Sequence, residues 1–327
     1  MGSSIGRVFV AGAGLMGHGI AQVHAAIGLP VVLYEPDLAR AEAGRDRVAG
    51  NLDRAVAKGR LAQDARDATL ARIEPTADLA GVAKNLDRAV AKGRLAQDER
   101  DATLARIEPT ADLAGVAEAD LVIEAVFEDL AVKSVLWHEL DALAPASAIF
   151  ASNTSSIAIH RLAEAVSPER RERFVGMHFF SPVPVMPLIE LIRSDDTSDQ
   201  TEAAIRALGD RLGKQVIVSA DRPGFIVNRI LMPFLAESMR AFEEGLGTAE
   251  DIDTGARVGL NHPMGPLELA DFIGLDVCLG IMRVLDDGLE GEQFQPPDVL
   301  VELVDAGHLG QKTGHGFYSY PREPAPR

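Results

Sequence analysis

Three glycines, Gly12, Gly14 and Gly17, stand between a strand-like and a helix-like stretch, and that arrangement constrains the fold more than any other part of the chain. Upstream, Arg7-Val8-Phe9-Val10-Ala11 is a short apolar, β-branched run that reads as a buried strand. Downstream, Ile20 to Ala26 reads as a helix with Gly28 as its stop, and Val31-Val32-Leu33-Tyr34 reads as a second strand ending on Glu35. In such a strand–turn–helix the first glycine permits the tight turn, and the second lets the backbone approach a pyrophosphate. The third lets helix pack on strand. The helix N-terminus, at Leu15 and Met16, then faces the phosphates. A Gly-rich turn alone would say little. Glu35, 18 residues past the last glycine, adds an acid where the adenosine ribose hydroxyls would be bound. A carboxylate there would repel a 2′-phosphate, so the expected cofactor is NAD.

Strands and helices continue to alternate. Asp120 to Val126 and Ala148 to Ala151 read as strands, with the amphipathic helix Leu130 to Leu143 between them carrying the only tryptophan, Trp137, as packing. The second strand runs into Ser152-Asn153-Thr154-Ser155-Ser156. Small polar residues at the carboxyl end of a strand suit a ligand loop of a doubly wound sheet, and they equally suit a helix N-cap. Thr201 to Leu212 reads as a helix and Gln215 to Val218 as a last strand. The composition changes near Asp221-Arg222-Pro223-Gly224. Beyond it the pattern is helical, with a long helix from Ile226 and a capped start at Thr248. The expected fold is an α/β Rossmann-like doubly wound sheet over 1–220, with a helical arm at 37–118, followed by an all-α domain over 221–327. The apolar stretch from Phe225 to Leu285 is expected to dimerise.

The candidate chemistry lies in Gly176-Met177-His178-Phe179-Phe180-Ser181-Pro182, with Glu190 twelve residues after the histidine. Runs on either side read as buried strands, and the prolines between them turn the chain back. That geometry brings a carboxylate onto the imidazole, fixing its tautomer and making it a usable general base. On these residues alone, a core histidine beside a chance acid is an equal reading.

A net charge of -17 argues against nucleic-acid binding. One cysteine, Cys278, excludes an internal disulfide and fits a reducing cytosol. No apolar run reaches the length of a membrane span, and no charged region precedes a signal-like stretch at the start. A cytoplasmic protein with no membrane partner is expected.

Residues 51–84 and 85–118 are two copies of one sequence at a period of 34, with 32 positions identical. The second copy has Glu99 for Ala65 and Glu118 for Lys84. Two copies are too few for a solenoid. Each reads as helix end, Lys-Gly-Arg turn, helix and strand, and a Rossmann sheet needs one such unit, so one copy is surplus.

Seven ordered motifs resemble the 3-hydroxyacyl-CoA dehydrogenase family: GAGLMG at 12–17, VIEAVFED at 122–129, SNTSS at 152–156, MHFFSPVPVM at 177–186, PGFIVNR at 223–229, HPMGPLELAD at 262–271 and KTGHGFY at 312–318. The resemblance, closest in form to the bacterial 3-hydroxybutyryl-CoA branch, implies an NAD-dependent dehydrogenase of an acyl-CoA substrate. It implies His178 as the base for the 3-hydroxyl proton and Glu190 as its orienting acid. Ser155 and Asn228 are implied at the substrate oxygens, and Glu128, Lys133 and Asn153 at the cofactor. The arm would bind CoA through Asn51 and Lys58, or through their copies Asn85 and Lys92. Ser181 stands where the family usually has Asn, so the substrate contact made there differs. Two competing functions are a dehydrogenase of a free hydroxy acid or sugar acid on the same plan, and a non-enzymatic dinucleotide-binding protein. The latter would not need His178 and Glu190 together.

Overall fold

The computed structural model describes residues 5–35 and 80–320. Those up to 222 belong to one compact unit and those from 223 to another. The first unit is built on an eight-stranded sheet of order β3-β2-β1-β4-β5-β6-β7-β8. Its strands are β1 (Val8–Ala11), β2 (Val31–Tyr34), β3 (Ile107–Thr110), β4 (Leu121–Glu124), β5 (Ile149–Ser152), β6 (Phe174–Phe179), β7 (Leu188–Arg193) and β8 (Gln215–Ala220). The first six are parallel, and β7 pairs antiparallel with β6 while β8 runs parallel to β7. Strands covered on both faces must be apolar throughout. Accordingly β1, β2, β4, β5 and β6 are buried at every position. The strand order turns back between β1 and β4, and the loops at the carboxyl ends of the parallel strands gather there, where such sheets bind ligands.

Helix α1 (Leu15–Ala26) follows β1 and ends two residues before Gly28, whose φ of 90° is a left-handed stop. The second copy of the repeat supplies the next elements. Helix α2 (Ala80–Ala91) begins in the last residues of the first copy and continues into the second, and α3 (Gln97–Leu104) and β3 follow. β3 pairs with β2 through Val31↔Ile107 to Tyr34↔Thr110, so the second copy occupies the sheet edge. The strand expected at Arg72 to Leu79 in the first copy lies outside the described residues. Helix α4 (Leu130–Leu143) seats Trp137 with no exposure, stacked on Phe150 at 4.9 Å. α5 (Ile159–Ala163), α6 (Pro168–Arg171) and α7 (Asp199–Arg211) complete this unit.

The second unit is helical: α8 (Val227–Glu243), α9 (Ala249–Thr254), α10 (Pro266–Ile273), α11 (Leu275–Gly288) and α12 (Asp298–Asp305). The apolar stretch 267–285 is split at Gly274, which takes φ 106° between α10 and α11. Both helices bury one face in a core with Met232, Leu235 and Met239 of α8. Two buried aspartates tie the unit together. Asp253 accepts from the backbone N–H groups of Leu267 and Glu268 at the start of α10, and from the Tyr318 hydroxyl. Asp271 accepts from the N–H groups of Phe317 and Tyr318 and from the Tyr320 hydroxyl. A Cβ at Gly316 would stand 1.9 Å from the Asp271 carboxylate, so the closing Gly-rich segment is shaped to that acid.

Candidate active site

The glycine loop follows from steric limits. Gly12 has φ 103°, and a Cβ there would lie 2.7 Å from the Ala125 carbonyl oxygen. A Cβ on Gly17 would lie 1.7 Å from the Gly12 oxygen, so the helix reaches the turn only because Gly17 lacks one. Among the described residues, nothing beyond its own chain neighbours lies within 4 Å of the corresponding point at Gly14. The protein does not demand that glycine, whereas a phosphate lying against the loop backbone would. Leu15 is exposed and Met16 half-buried at the helix start. The Ala13 N–H donates to Glu35 at 2.6 Å, holding the acid at the end of β2 beside the loop. Burial pushes the Glu35 carboxyl up, against the Ala13 bond. The loop, its open side and the acid fit a dinucleotide.

The antiparallel turn-back between β6 and β7 sets His178 directly opposite Glu190. Facing side chains on such a pair are natural contact partners. Here the imidazole Nδ1 lies 3.0 Å from a Glu190 carboxylate oxygen, and Glu190 is fully buried. With Nδ1–H donated to the acid, the proton-accepting nitrogen is Nε2. The Phe180 ring covers the imidazole at 4.5 Å. The Pro-rich bend beyond it is pinned from two sides. Buried Lys214 donates to the carbonyls of Val183 and Met186 at 2.8 and 2.6 Å, and Val183 presses on Gly19 of α1, where a Cβ would come within 2.9 Å. Ser181 is exposed in this bend.

The loop after β5 is held from within, the Thr154 hydroxyl accepting from the N–H groups of Ser156 and Ile157. Glu128 gathers it: one carboxylate oxygen accepts from the Thr154 hydroxyl at 2.5 Å, the Ser155 N–H at 3.1 Å, and the Ser156 hydroxyl at 3.0 Å. Asn153 is turned to the neighbouring strand, its side-chain oxygen accepting from the Phe179 N–H at 2.9 Å. That bond ties the serine loop to the residue after His178. Lys133 is fully buried, its ammonium 2.5 Å from Glu124 and 3.1 Å from Glu128. Glu124 also accepts from the Ser152 hydroxyl and the Val126 N–H. Burial pushes Glu124 up. Burial acts the same way on Glu128, but Lys133 and the loop donors outweigh it and hold that carboxyl below its usual range.

Sequence reading missed Glu124, Ser152 and Lys214. The available signals were an acid inside the apolar run LVIEAV and a lysine directly before a strand. On the arm, Asn85 is half-buried in α2 and Lys92 is exposed just beyond it, with Arg88 and Arg94 exposed beside it in sequence. Asn51 and Lys58 lie outside the described residues. Asn228 is buried in the first turn of α8, in the second unit. Among the described residues no cluster of His, Cys, Asp and Glu could hold a metal, and no helix is long and apolar enough to cross a membrane.

Comparison with known proteins places these features in one family. The model of the 3-hydroxyacyl-CoA dehydrogenase NAD binding domain matches twice, over residues 7–87 and 79–222, and the model of the C-terminal domain matches residues 224–320. The first of the paired matches runs through the first repeat copy and the second begins just before the other copy. A 3-hydroxybutyryl-CoA dehydrogenase of Bradyrhizobium diazoefficiens is 44% identical over 320 residues, covering 98% of this chain and 97% of that protein. The crystal structure of FadB2 from M. tuberculosis superposes with a TM-score of 0.83 at 40% identity, over 98% of this chain and 100% of that one. The (S)-3-hydroxybutyryl-CoA dehydrogenase PaaH1 of Ralstonia eutropha does so at 0.81 and 40% identity, with the same coverage. The chain belongs to the 3-hydroxyacyl-CoA dehydrogenase family and is an NAD-dependent oxidoreductase.

Proposed function

We propose that the chain interconverts (S)-3-hydroxybutyryl-CoA and its 3-keto thioester, with His178 as the general base. The observation that carries this reading is the buried His178–Glu190 pair, 3.0 Å apart, at the ligand-binding edge of the sheet. When bound, NAD supplies the acceptor for the hydride leaving C3. Nε2 of His178 takes the proton of the 3-hydroxyl, so the C3–O bond becomes a carbonyl. The imidazolium so formed is steadied by the buried carboxylate of Glu190 and passes its proton on to solvent before the next turnover. Ser155 and Asn228 hydrogen-bond the substrate oxygens, and Ser181 takes the place of a longer amide with a single hydroxyl. The glycine loop at Gly12, Gly14, Leu15, Met16 and Gly17 holds the pyrophosphate, and Glu35 the adenosine ribose. Glu128 and Asn153 form the cofactor-side wall with Lys133 behind them. The exposed basic strip of Arg88, Lys92 and Arg94 suits the phosphates of CoA, with Asn85 alongside, in a chain that is otherwise acidic. The enzyme works in the cytoplasm as a homodimer whose helical unit pairs with a second copy.

The test is NADH oxidation with acetoacetyl-CoA against free acetoacetate. The expected result is turnover of the thioester and little of the free acid. Equal turnover of both would overturn the CoA assignment in favour of a free hydroxy-acid dehydrogenase.

A further inference from the structure

Lys133 is one of the largest fully buried side chains among the described residues, and it sits between two carboxylates. A buried ammonium without partners would be strongly unfavourable, so its retention calls for a reason beyond packing. The contacts run in one direction. Glu124, the last residue of β4, is fixed by the Ser152 hydroxyl and the Val126 N–H, and grips Lys133 at 2.5 Å. Lys133, in the first turn of α4, reaches one oxygen of Glu128 at 3.1 Å. The other oxygen of Glu128 carries the donors of Thr154, Ser155 and Ser156. We propose that Glu124 and Lys133 are a buried positioning pair that, acting through Glu128, fixes the loop bearing Ser155. This rests on the reading of Ser155 as a substrate-binding residue. It also gives Lys133 a different task from direct contact with the cofactor, since its ammonium is enclosed by the two carboxylates.

The device is electrostatic. All the loop groups on Glu128 are N–H or O–H donors to one oxygen, so an ionised carboxylate holds them more strongly than a protonated one, whose remaining carbonyl oxygen is a weaker acceptor. The charged groups facing Glu128 are Lys133 from α4 and, behind Lys133, Glu124 from β4. Burial of Glu128 favours its neutral form, and Lys133 heads the groups that oppose this. Without the lysine, Glu128 takes up a proton at higher pH and the loop loosens as the pH falls.

The test uses the full-length double variant Glu124→Gln with Lys133→Met, which leaves no buried charge unpaired at the inner position. The expected result is a variant-to-wild-type ratio of kcat/KM that falls by about tenfold from pH 8.5 to pH 6. Faster hydrogen exchange at the Ser155 and Ser156 amides should accompany that fall over the same range. A ratio and an exchange pattern flat with pH would overturn the proposal. Should the double variant not fold, Glu128→Gln mimics the protonated acid. It is expected to show fast exchange at both amides at every pH, and wild-type exchange there would overturn the proposal. Ser155→Ala is measured beside them. Exchange that responds as expected while Ser155→Ala turns over at the wild-type rate would show a knot that does not serve the reaction, overturning the positioning role and the Ser155 reading separately from the knot itself.

Discussion

His24 shows how one side chain can set a property of the whole chain. It lies on the buried face of α1, fully enclosed, with Nδ1 on the Ile20 carbonyl and the Phe179 ring edge-on at 6.1 Å. Burial, with Lys214 and Arg211 nearby, drives its pKa down from 6.5 to about 4. Between those values the unfolded chain binds a proton that the folded chain refuses. Stability therefore falls as pH drops from 6.5 to 4, by about 3 kcal/mol from this group. Chemical unfolding of His24→Gln against wild type across this range checks it: the variant should lose the corresponding part of the slope, and an unchanged slope would contradict the assignment. Glu35 carries a second expectation. As the acid proposed to hold the ribose it should favour NADH over NADPH in kcat/KM, and Glu35→Ala should narrow the gap, measured with both cofactors at one pH. His178 and Glu190 were legible in the sequence because a proline bend between two apolar runs makes them cross-strand partners. The pairing of Lys133 with Glu124 was not, because their meeting depends on how α4 lies over the ends of β4 and β5.

At the scale of elements, most of the sheet could be read from apolar runs, since strands buried on both faces have little else to show. The ends were less legible: β6 extends to Phe179 and β8 to Ala220, where polar residues interrupt the run but pairing continues. Which repeat copy enters the sheet could not be read from near-identical sequences. The structure gives a physical reason in the two positions that differ. Glu99 accepts from the Ala96 N–H at the start of α3, and Glu118 lies 3.3 Å from Arg7 at the foot of β1. The first copy has Ala65 and Lys84 at the matching places, where one would leave the helix start uncapped and the other would repel Arg7. A cap contact and a partly exposed ion pair are worth together about 1–2 kcal/mol, enough to bias two otherwise equal seatings. Exchanging the pairs, with Ala65→Glu, Lys84→Glu, Glu99→Ala and Glu118→Lys, should move hydrogen-exchange protection from the peptide spanning 99–110 to the one spanning 65–76. Protection that stays with the second copy would show that its place in the chain decides. Deleting residues 51–84 joins Gly50 to Asn85 and should keep activity within about tenfold, roughly 1.4 kcal/mol in the barrier. A soluble, NAD-binding but inactive deletion would mean that the surplus copy serves the site.

For the whole molecule, the proposed CoA substrate would give a strongly acidic chain a reason to keep an exposed basic strip on its arm, and the helical second unit is the part that matches the family's C-terminal domain. That unit leaves Leu246, Val258 and Leu260 more than half exposed. Such a surface is expected to be covered by a second copy, and light scattering at micromolar concentration should report a dimer; a monomer would count against it. The central claim concerns chemistry at one residue, and His178→Gln tests it most directly, with NADH binding and acetoacetyl-CoA reduction measured on the same preparation. The variant should bind NADH as wild type does, because the glycine loop and Glu35 are untouched, while kcat falls by roughly 10²–10⁴-fold. A variant that binds NADH and turns over at close to the wild-type rate would remove His178 from the mechanism.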